Sequence, residues 1–446
     1  MLARVVGVAR SRWRGGSFGR NVLTLVIGTG MSQVIVVATA PVLTRLYAPA
    51  DFGLFSVANS IMAILMSITC LRLEFAVPLP QDDVEAANVL GLTLLLAALL
   101  SVVSVVVLWL VGDRLLILLG GSALGAPILL IAVGQFGGGV VSSLGNWAVR
   151  TKDFASIASM RMSQAIALVV VQTGLGIAGI GATGLLAGAV LSRFAGASRL
   201  ARSAWRTHAS EFRQVSRAGM RRVASRYRSI ALLSTPSAIL NTVGLQAPTL
   251  LLVLLYGVDT GGLYALAQRI TSIPLTLIAS AVGHVFLAEA ARDARSDARA
   301  VRTLFLRTTV SLARLGIAPT ILLMIAAPLV AGPVFGGAWN QVGLYIAILA
   351  PMYLITFVTT ATGDGLYAVE RMDLQLIREI VRLVCLGGSV PLAAALGFDA
   401  TGAVMMLSVG GAVAYLGYGV IMWWAINRHA ARFGRSPDAE QTIADV

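Results

Sequence analysis

The sequence predicts an all-α polytopic membrane protein of about twelve transmembrane helices in two six-helix bundles. Three observations predict it. Of 446 residues, 57% are hydrophobic and only 12% charged, which does not describe a water-facing surface. Apolar runs long enough to cross a bilayer follow one another along the chain. A basic segment from Arg193 to Arg228, with ten arginines against the single acid Glu211, divides these runs into two similar halves.

A helix needs about 20 apolar residues to cross roughly 30 Å of hydrocarbon. Twelve such stretches fall near 22–44, 52–79, 88–111, 115–148 (holding one helix of ordinary length), 155–178 and 183–200, then 230–256, 261–288, 303–331, 341–369, 376–397 and 400–427. A lipid-facing backbone must satisfy its own polar groups, and no alternating barrel pattern occurs, so the spans are helices. The domain reading is an N-terminal lobe at 1–200, a basic cytoplasmic linker at 201–229, a C-terminal lobe at 230–428 and a polar cytoplasmic tail at 429–446. Arg4, Arg10, Arg12, Arg14 and Arg20 precede the first run, and Ala38-Thr39-Ala40 resembles a cleavage site. The run exceeds a signal-peptide core of about 7–15 residues, and Pro41 would follow the cut, so the first span is expected to stay uncleaved.

The net charge of +14 sits in short breaks between spans, where it sets topology and does not point to nucleic acid. With the N-terminus inside, the cytoplasmic breaks hold Arg150, Lys152 and Arg161, the central ten, Arg292 to Arg307, then Arg371, Arg378 and Arg382, then Arg428, Arg432 and Arg435. The opposite breaks hold only Arg45 and Arg114, so both termini are expected in the cytoplasm. Asp82, Asp83 and Glu85 make the second break acidic and the weakest point of this reading. Cys70 and Cys385 lie in apolar runs, and His208, His284 and His429 are scattered, so neither a disulfide framework, a metal site nor a cofactor is implied.

The halves echo each other. Leu46-Tyr47, Gly53-Leu54-Phe55, Ala58 and Ile61 align without a gap on Leu255-Tyr256, Gly262-Leu263-Tyr264, Ala267 and Ile270. Gly145, Ala148-Val149, Asp153 and Ile157 align on Gly365, Ala368-Val369, Asp373 and Ile377. Both halves enter the membrane from the same side, so the duplication is parallel. The central segment reads either as a plain positive loop or as a surface helix, with Arg213, Arg217 and Arg221 on one side and Trp205, Phe212, Val215, Val223 and Tyr227 on the other.

The run Tyr47 to Phe55, then Leu71-Arg72-Leu-Glu74-Phe-Ala-Val-Pro-Leu-Pro80, resembles the opening spans of bacterial polysaccharide-biosynthesis (O-antigen-type) flippases of the multidrug/oligosaccharidyl-lipid/polysaccharide exporter superfamily. So do Ser234 to Asn241, Leu255-Tyr-Gly257, Gly262 to Ile270, Pro274 and Val282 to Phe286. The resemblance implies a V-shaped pair of bundles around a central cavity. It also implies alternating access that moves an isoprenoid-diphosphate-linked oligosaccharide between leaflets of the bacterial cytoplasmic (inner) membrane, for cell-surface polysaccharide such as lipopolysaccharide O-antigen. The implied partners are this substrate, membrane lipids and a coupling ion, H+ or Na+.

A diphosphate carrier needs cations shielded from lipid, and a mid-span Arg that costs about 2.5–3.5 kcal/mol on insertion scales usually faces the bundle interior. Arginine also donates two parallel bonds to phosphate oxygens. Arg72 and Arg269, on the second and eighth spans, are the leading substrate-binding candidates, followed by Arg45 and Arg314. Each has a bland alternative: snorkelling, or a structural pair with a neighbouring helix. On a helix Glu74 would point away from Arg72, two residues earlier, and so needs another partner or a mobile ion. Glu74 and Asp364, the latter between Gly363 and Gly365, are the ion-coupling candidates, with structural ion pairing the alternative for each. Pro41 and Pro248 hold similar places in the first and seventh spans, where both lobes could bend. No Gly-rich phosphate loop, HExxH or GxSxG motif occurs, so no enzyme is indicated. The competing function is a cation-coupled small-molecule or drug antiporter of the same architecture, which intramembrane arginines disfavour because they repel cationic drugs.

Overall fold

The computed structural model describes residues 17–118, 125–296, 298–363 and 372–433, and among them every regular element is helical. In order these are α1 (Ser17–Ala38), α2 (Ala40–Leu46), α3 (Pro49–Ile68), α4 (Asp83–Leu118), α5 (Leu129–Arg150), α6 (Phe154–Ile177), α7 (Gly181–Phe212), α8 (Arg217–Arg226), α9 (Arg228–Tyr256), α10 (Val258–Ser296), α11 (Ala298–Phe335), α12 (Asn340–Gly363), α13 (Met372–Ala395) and α14 (Ala400–Phe433). Eight of them meet a strict length-and-apolarity test for crossing a membrane. α13 fails because Arg378, Glu379 and Arg382 put too many charges into any window along it. Counting α1 with α2, and setting α8 aside, every expected span has a helix.

The chain clusters into two compact units. The first comprises Met1–Leu46, Ile61–Ile117 and Ser122–Ile239; the second comprises Tyr47–Ser60, Leu118–Gly121 and Leu240–Val446. In the first unit, α6 packs along α1 and α7, and α5 lies against α7. Close approach to α5 is made by glycines on one helical face: a methyl at Gly134 would fall 2.3 Å from Met62, and one at Gly138 would fall 2.3 Å from Met66. One core joins Leu73, Val77, Ala87, Leu144, Trp147, Leu200, Val223 and Tyr227. Val223 and Tyr227 thereby dock α8, which Ser216 starts by accepting a bond from the Gly219 N–H at 3.0 Å. The central segment thus contains a helix, and residues 201–212 continue α7 past a kink at His208 (φ −130°, ψ 29°).

Two of the three acids of the second break are paired within the first unit. Arg150 forks onto Asp83 at 2.7 Å and onto the Gln81 carbonyl, and Arg226 of α8 meets Glu85 at 2.7 Å. The second unit is built around α12, whose Val342, Tyr345 and Leu349 are fully enclosed by α10, α11 and α14. Here the two echoed glycines meet. A methyl at Gly53 would fall 1.9 Å from the Val258 carbonyl oxygen, and one at Gly262 would fall 1.9 Å from that of Pro49. The first turns of α3 and α10 therefore cross in backbone contact, beside the edge-to-face pair Phe52 and Trp339, 4.9 Å apart.

Candidate functional site

The second expected span was drawn to residue 79, but α3 ends at Ile68. Leu71 (φ 50°) and Arg72 (φ 60°) both take the left-handed conformation, which no α-helix can contain, and a 3-10 turn follows at Leu73–Ala76. Arg72 and Glu74 therefore do not sit in a membrane-crossing helix, and the opposite-face argument drawn from helical spacing does not apply to them. Two consecutive non-glycine residues in this region are strained by about 1–3 kcal/mol each, and such strain persists only where surrounding structure holds it.

The turn is held by burial. Leu73, Ala76 and Val77 are in the core, and the Arg72 guanidinium lies 4.3 Å from the Phe75 ring centre. Arg72 Nε and Glu74 Oε2 are buried with no hydrogen-bond partner, and Glu74 is 7% exposed. Burial pushes the Glu74 carboxyl pKa up, against the opposing pull of its own backbone N–H and of Arg72. Cys70 is 3.5 Å from Ser143 and close to the Gly139 carbonyl; burial and the Glu74 charge push its thiol up to about 12, so it is an inert packing group. On α5, Gln135 is fully buried with both amide atoms unpartnered. The first unit thus keeps a cation, a carboxyl and an amide with unmet bonding capacity, an arrangement costly in a purely structural interior.

Arg269 lies within α10, half-buried, and among the described residues no carboxylate comes within ion-pair distance. Tyr264 and Gln268 of the same helix and Tyr353 of α12 interact through their side chains, with Tyr415 of α14 beside them. Arg45, at the end of α2, and Arg314, midway along α11, are exposed. Asp364 lies outside the described residues. Among the expected site residues, only Arg72 and Glu74 share one turn.

Sequence reasoning put Arg378 and Arg382 in a cytoplasmic break; they belong to α13 and are drawn into the second unit. Glu379 bridges Arg378 and Arg382, and Arg382 also donates to Asn241 Oδ1 at 2.6 Å and to the Asn241 carbonyl at 3.2 Å. Glu379 and Arg382 are 6% and 8% exposed, and Arg378 lies over the Tyr418 ring. The network holds two guanidinium groups to one carboxylate, a surplus of one positive charge. Its signal was Glu379 three residues before Arg382, the i, i+3 spacing that brings an acid and a base together on one helix face.

The pattern of the family described as "Polysaccharide biosynthesis protein" matches residues 42–344. The succinoglycan biosynthesis transport protein ExoT of Rhizobium meliloti (strain 1021) is 27% identical over 422 residues, covering 91% of this chain and 80% of that protein. Among solved structures, the lipid II flippase MurJ in an inward closed conformation superimposes with a TM-score of 0.66 at 11% identity, covering 92% of this chain and 90% of that one. An inward-facing multidrug resistance MATE family transporter of the MOP superfamily superimposes with a TM-score of 0.64 at 17% identity, covering 93% and 96%. At these identities the structural likeness concerns the fold.

Proposed function

Because the chain belongs to the polysaccharide biosynthesis protein family of membrane transporters, we propose that it carries an isoprenoid-diphosphate-linked oligosaccharide from the inner to the outer leaflet of the bacterial cytoplasmic membrane. The observation that supports this best is an interior guanidinium in each unit that makes no salt bridge among the described residues: Arg72 in the first, which only Glu74 of the same turn partly offsets, and Arg269 in the second. A bridging diphosphate carries two negative charges and offers paired acceptor oxygens, which is what a guanidinium without a salt bridge lacks. A cationic drug would meet repulsion at both. Arg45 and Arg314 take secondary roles in guiding the head group.

In this reading the substrate's glycan and diphosphate travel through the polar interior while its isoprenoid tail stays in lipid, and the protein alternates between access from the two leaflets. Both termini are cytoplasmic, so the acidic break at 81–85 and its arginine partners face the side on which lipid-linked sugars are assembled. Glu74, buried and short of partners, is the group whose protonation couples transport to an ion gradient, with Asp364 as the second candidate. Cells lacking the protein should lose surface polymer and accumulate the lipid-linked intermediate on the inner leaflet, with rescue by wild type. Normal surface polymer in such cells, together with drug hypersensitivity, would point to a small-molecule antiporter.

A further inference from the structure

At the junction of α5, α6 and α7, within the first unit, lies a cavity of about 200 Å³ that none of the transport reasoning uses. Its wall contains Asp153, one of the echoed residues. The Asp153 carboxylate caps α6 by accepting from the Ser156 N–H at 3.1 Å, and it accepts from the Ser203 hydroxyl at 2.9 Å. Ser156 in turn donates to Ser203 at 2.9 Å. Burial pushes the Asp153 carboxyl up, but these bonds outweigh it and hold its pKa below the usual carboxylate range, so the group is ionised.

The hydroxyl protons around the cavity are all engaged inside the protein. Those of Ser156 and Ser203 run in relay to Asp153, that of Thr151 goes to the Trp147 or Ala148 carbonyl, and that of Thr207 goes to the Ser203 carbonyl. The bonding capacity left over is therefore nearly all acceptor, on one carboxylate and several hydroxyl oxygens. The exceptions are Trp147, 1% exposed, whose indole N–H has no partner among the described residues, and the His208 imidazole, which carries an N–H of its own. Leu144, Leu200 and Ala204 supply apolar wall, and the rim includes the exposed Thr207 and the kink residue His208, whose ring stands edge-on to Trp147 at 5.3 Å.

A ligand for this wall must donate several hydrogen bonds, accept one or two, and carry an apolar face. A cation would satisfy the carboxylate, but Arg199, Arg202 and Arg206 line the exposed side of the same helix and oppose it. An anion would meet Asp153. Volume narrows the choice further: the cavity is below the roughly 300–1,000 Å³ of sites for drug-sized ligands, yet holds about seven waters' worth of space at roughly 30 Å³ each.

We propose that this cavity is a binding site for a single neutral sugar ring, whose hydroxyls donate to Asp153 and the threonine oxygens while its C–H face rests on the apolar wall. The occupant is either one sugar of the exported glycan or a free monosaccharide, and the same chemistry serves both. The site does not depend on the export reading.

The test is saturation-transfer NMR on the full-length protein purified in a sugar-free detergent, against a panel of neutral hexoses and N-acetylhexosamines. Wild type should bind at least one of them in the millimolar range. Asp153→Asn retains the helix cap but loses the charge, and should weaken binding about tenfold or more. Thr207→Val, nearly isosteric and at the exposed rim, should weaken it about two- to tenfold and serves where the Asn variant fails to fold. Absence of transfer from every sugar, or equal transfer to wild type and both variants, overturns the proposal whether or not the protein exports glycan. Variants that lose sugar binding and also export identify the glycan as the occupant; variants that lose sugar binding but export normally identify the free sugar. Normal surface polymer in cells without the protein would remove the export reading and leave a positive binding result standing.

Discussion

Arg269 and Arg72 carry the transport proposal because each is an interior guanidinium that makes no salt bridge among the described residues, although Glu74 acts on Arg72 from the same turn. Removing either should act on transport far more than on folding. Arg269→Ala is expected to reduce export at least about tenfold, the scale of one lost charged hydrogen bond, with protein level within about twofold of wild type. Arg269→Lys should recover only part, because an ammonium cannot make the two parallel bonds; export assays with quantified protein check both. For Glu74 the sign of the pH effect is fixed by its raised pKa. A carboxyl raised in the folded state contributes stability that is present below the unfolded value, about 4.3, and is lost as pH rises through the folded value. Melting of wild type relative to Glu74→Gln should therefore be most favourable in acid and decline toward neutrality; a flat difference would contradict the burial argument. At this scale the sequence showed residue types well and positions poorly. Arg72 and Glu74 stood out as charges in an apolar run, but nothing in Leu71-Arg72 announces left-handed backbone in a non-glycine pair. Gln135 was passed over because a lone amide in a glycine-rich helix gives no pattern.

Helices make their own case. The cross-repeat match of Gly53 with Gly262 was a sequence reading, and the two glycines turn out to be where α3 and α10 touch through backbone. Gly53→Ala or Gly262→Ala must displace a carbonyl oxygen and should cost about 1–3 kcal/mol, whereas Gly145→Ala, with open space around it, should be neutral or gain about 0.5–1 kcal/mol of helix propensity. Thermal melts of the three in one detergent settle the comparison. In α13, Glu379→Gln leaves Arg378 and Arg382 facing each other without their acid and is expected to cost about 3–5 kcal/mol. The apolar runs made the existence of these helices legible, because lipid imposes a length that globular cores do not. Their ends were less so: charge near the end of an apolar run reads as a break, so Arg378 and Arg382 were counted with a cytoplasmic cluster although the span drawn at 376–397 already held them. The left-handed turn shortened α3 for the opposite reason, since Leu71, Leu73, Phe75, Ala76 and Val77 continue the apolar run around its two charges.

Taken whole, the chain is a multi-pass membrane protein of the polysaccharide biosynthesis family, and its charge distribution argues for cytoplasmic termini. Of the acids at 82, 83 and 85, Arg150 and Arg226 pair with two and leave Asp82, so the break is nearly balanced, and acids count little in setting orientation. A reporter active only in the cytoplasm, fused after Val446, should be active, and one active only outside should not. The central claim is that the interior arginines form a path for an anionic lipid-linked glycan. It is tested most directly by measuring surface polymer and inner-leaflet lipid-linked intermediate in cells that lack the protein and carry either wild type or the double variant Arg72→Ala/Arg269→Ala at matched level. The account predicts that wild type restores polymer while the double variant leaves polymer absent and intermediate accumulated. Full restoration of polymer by the double variant would contradict it.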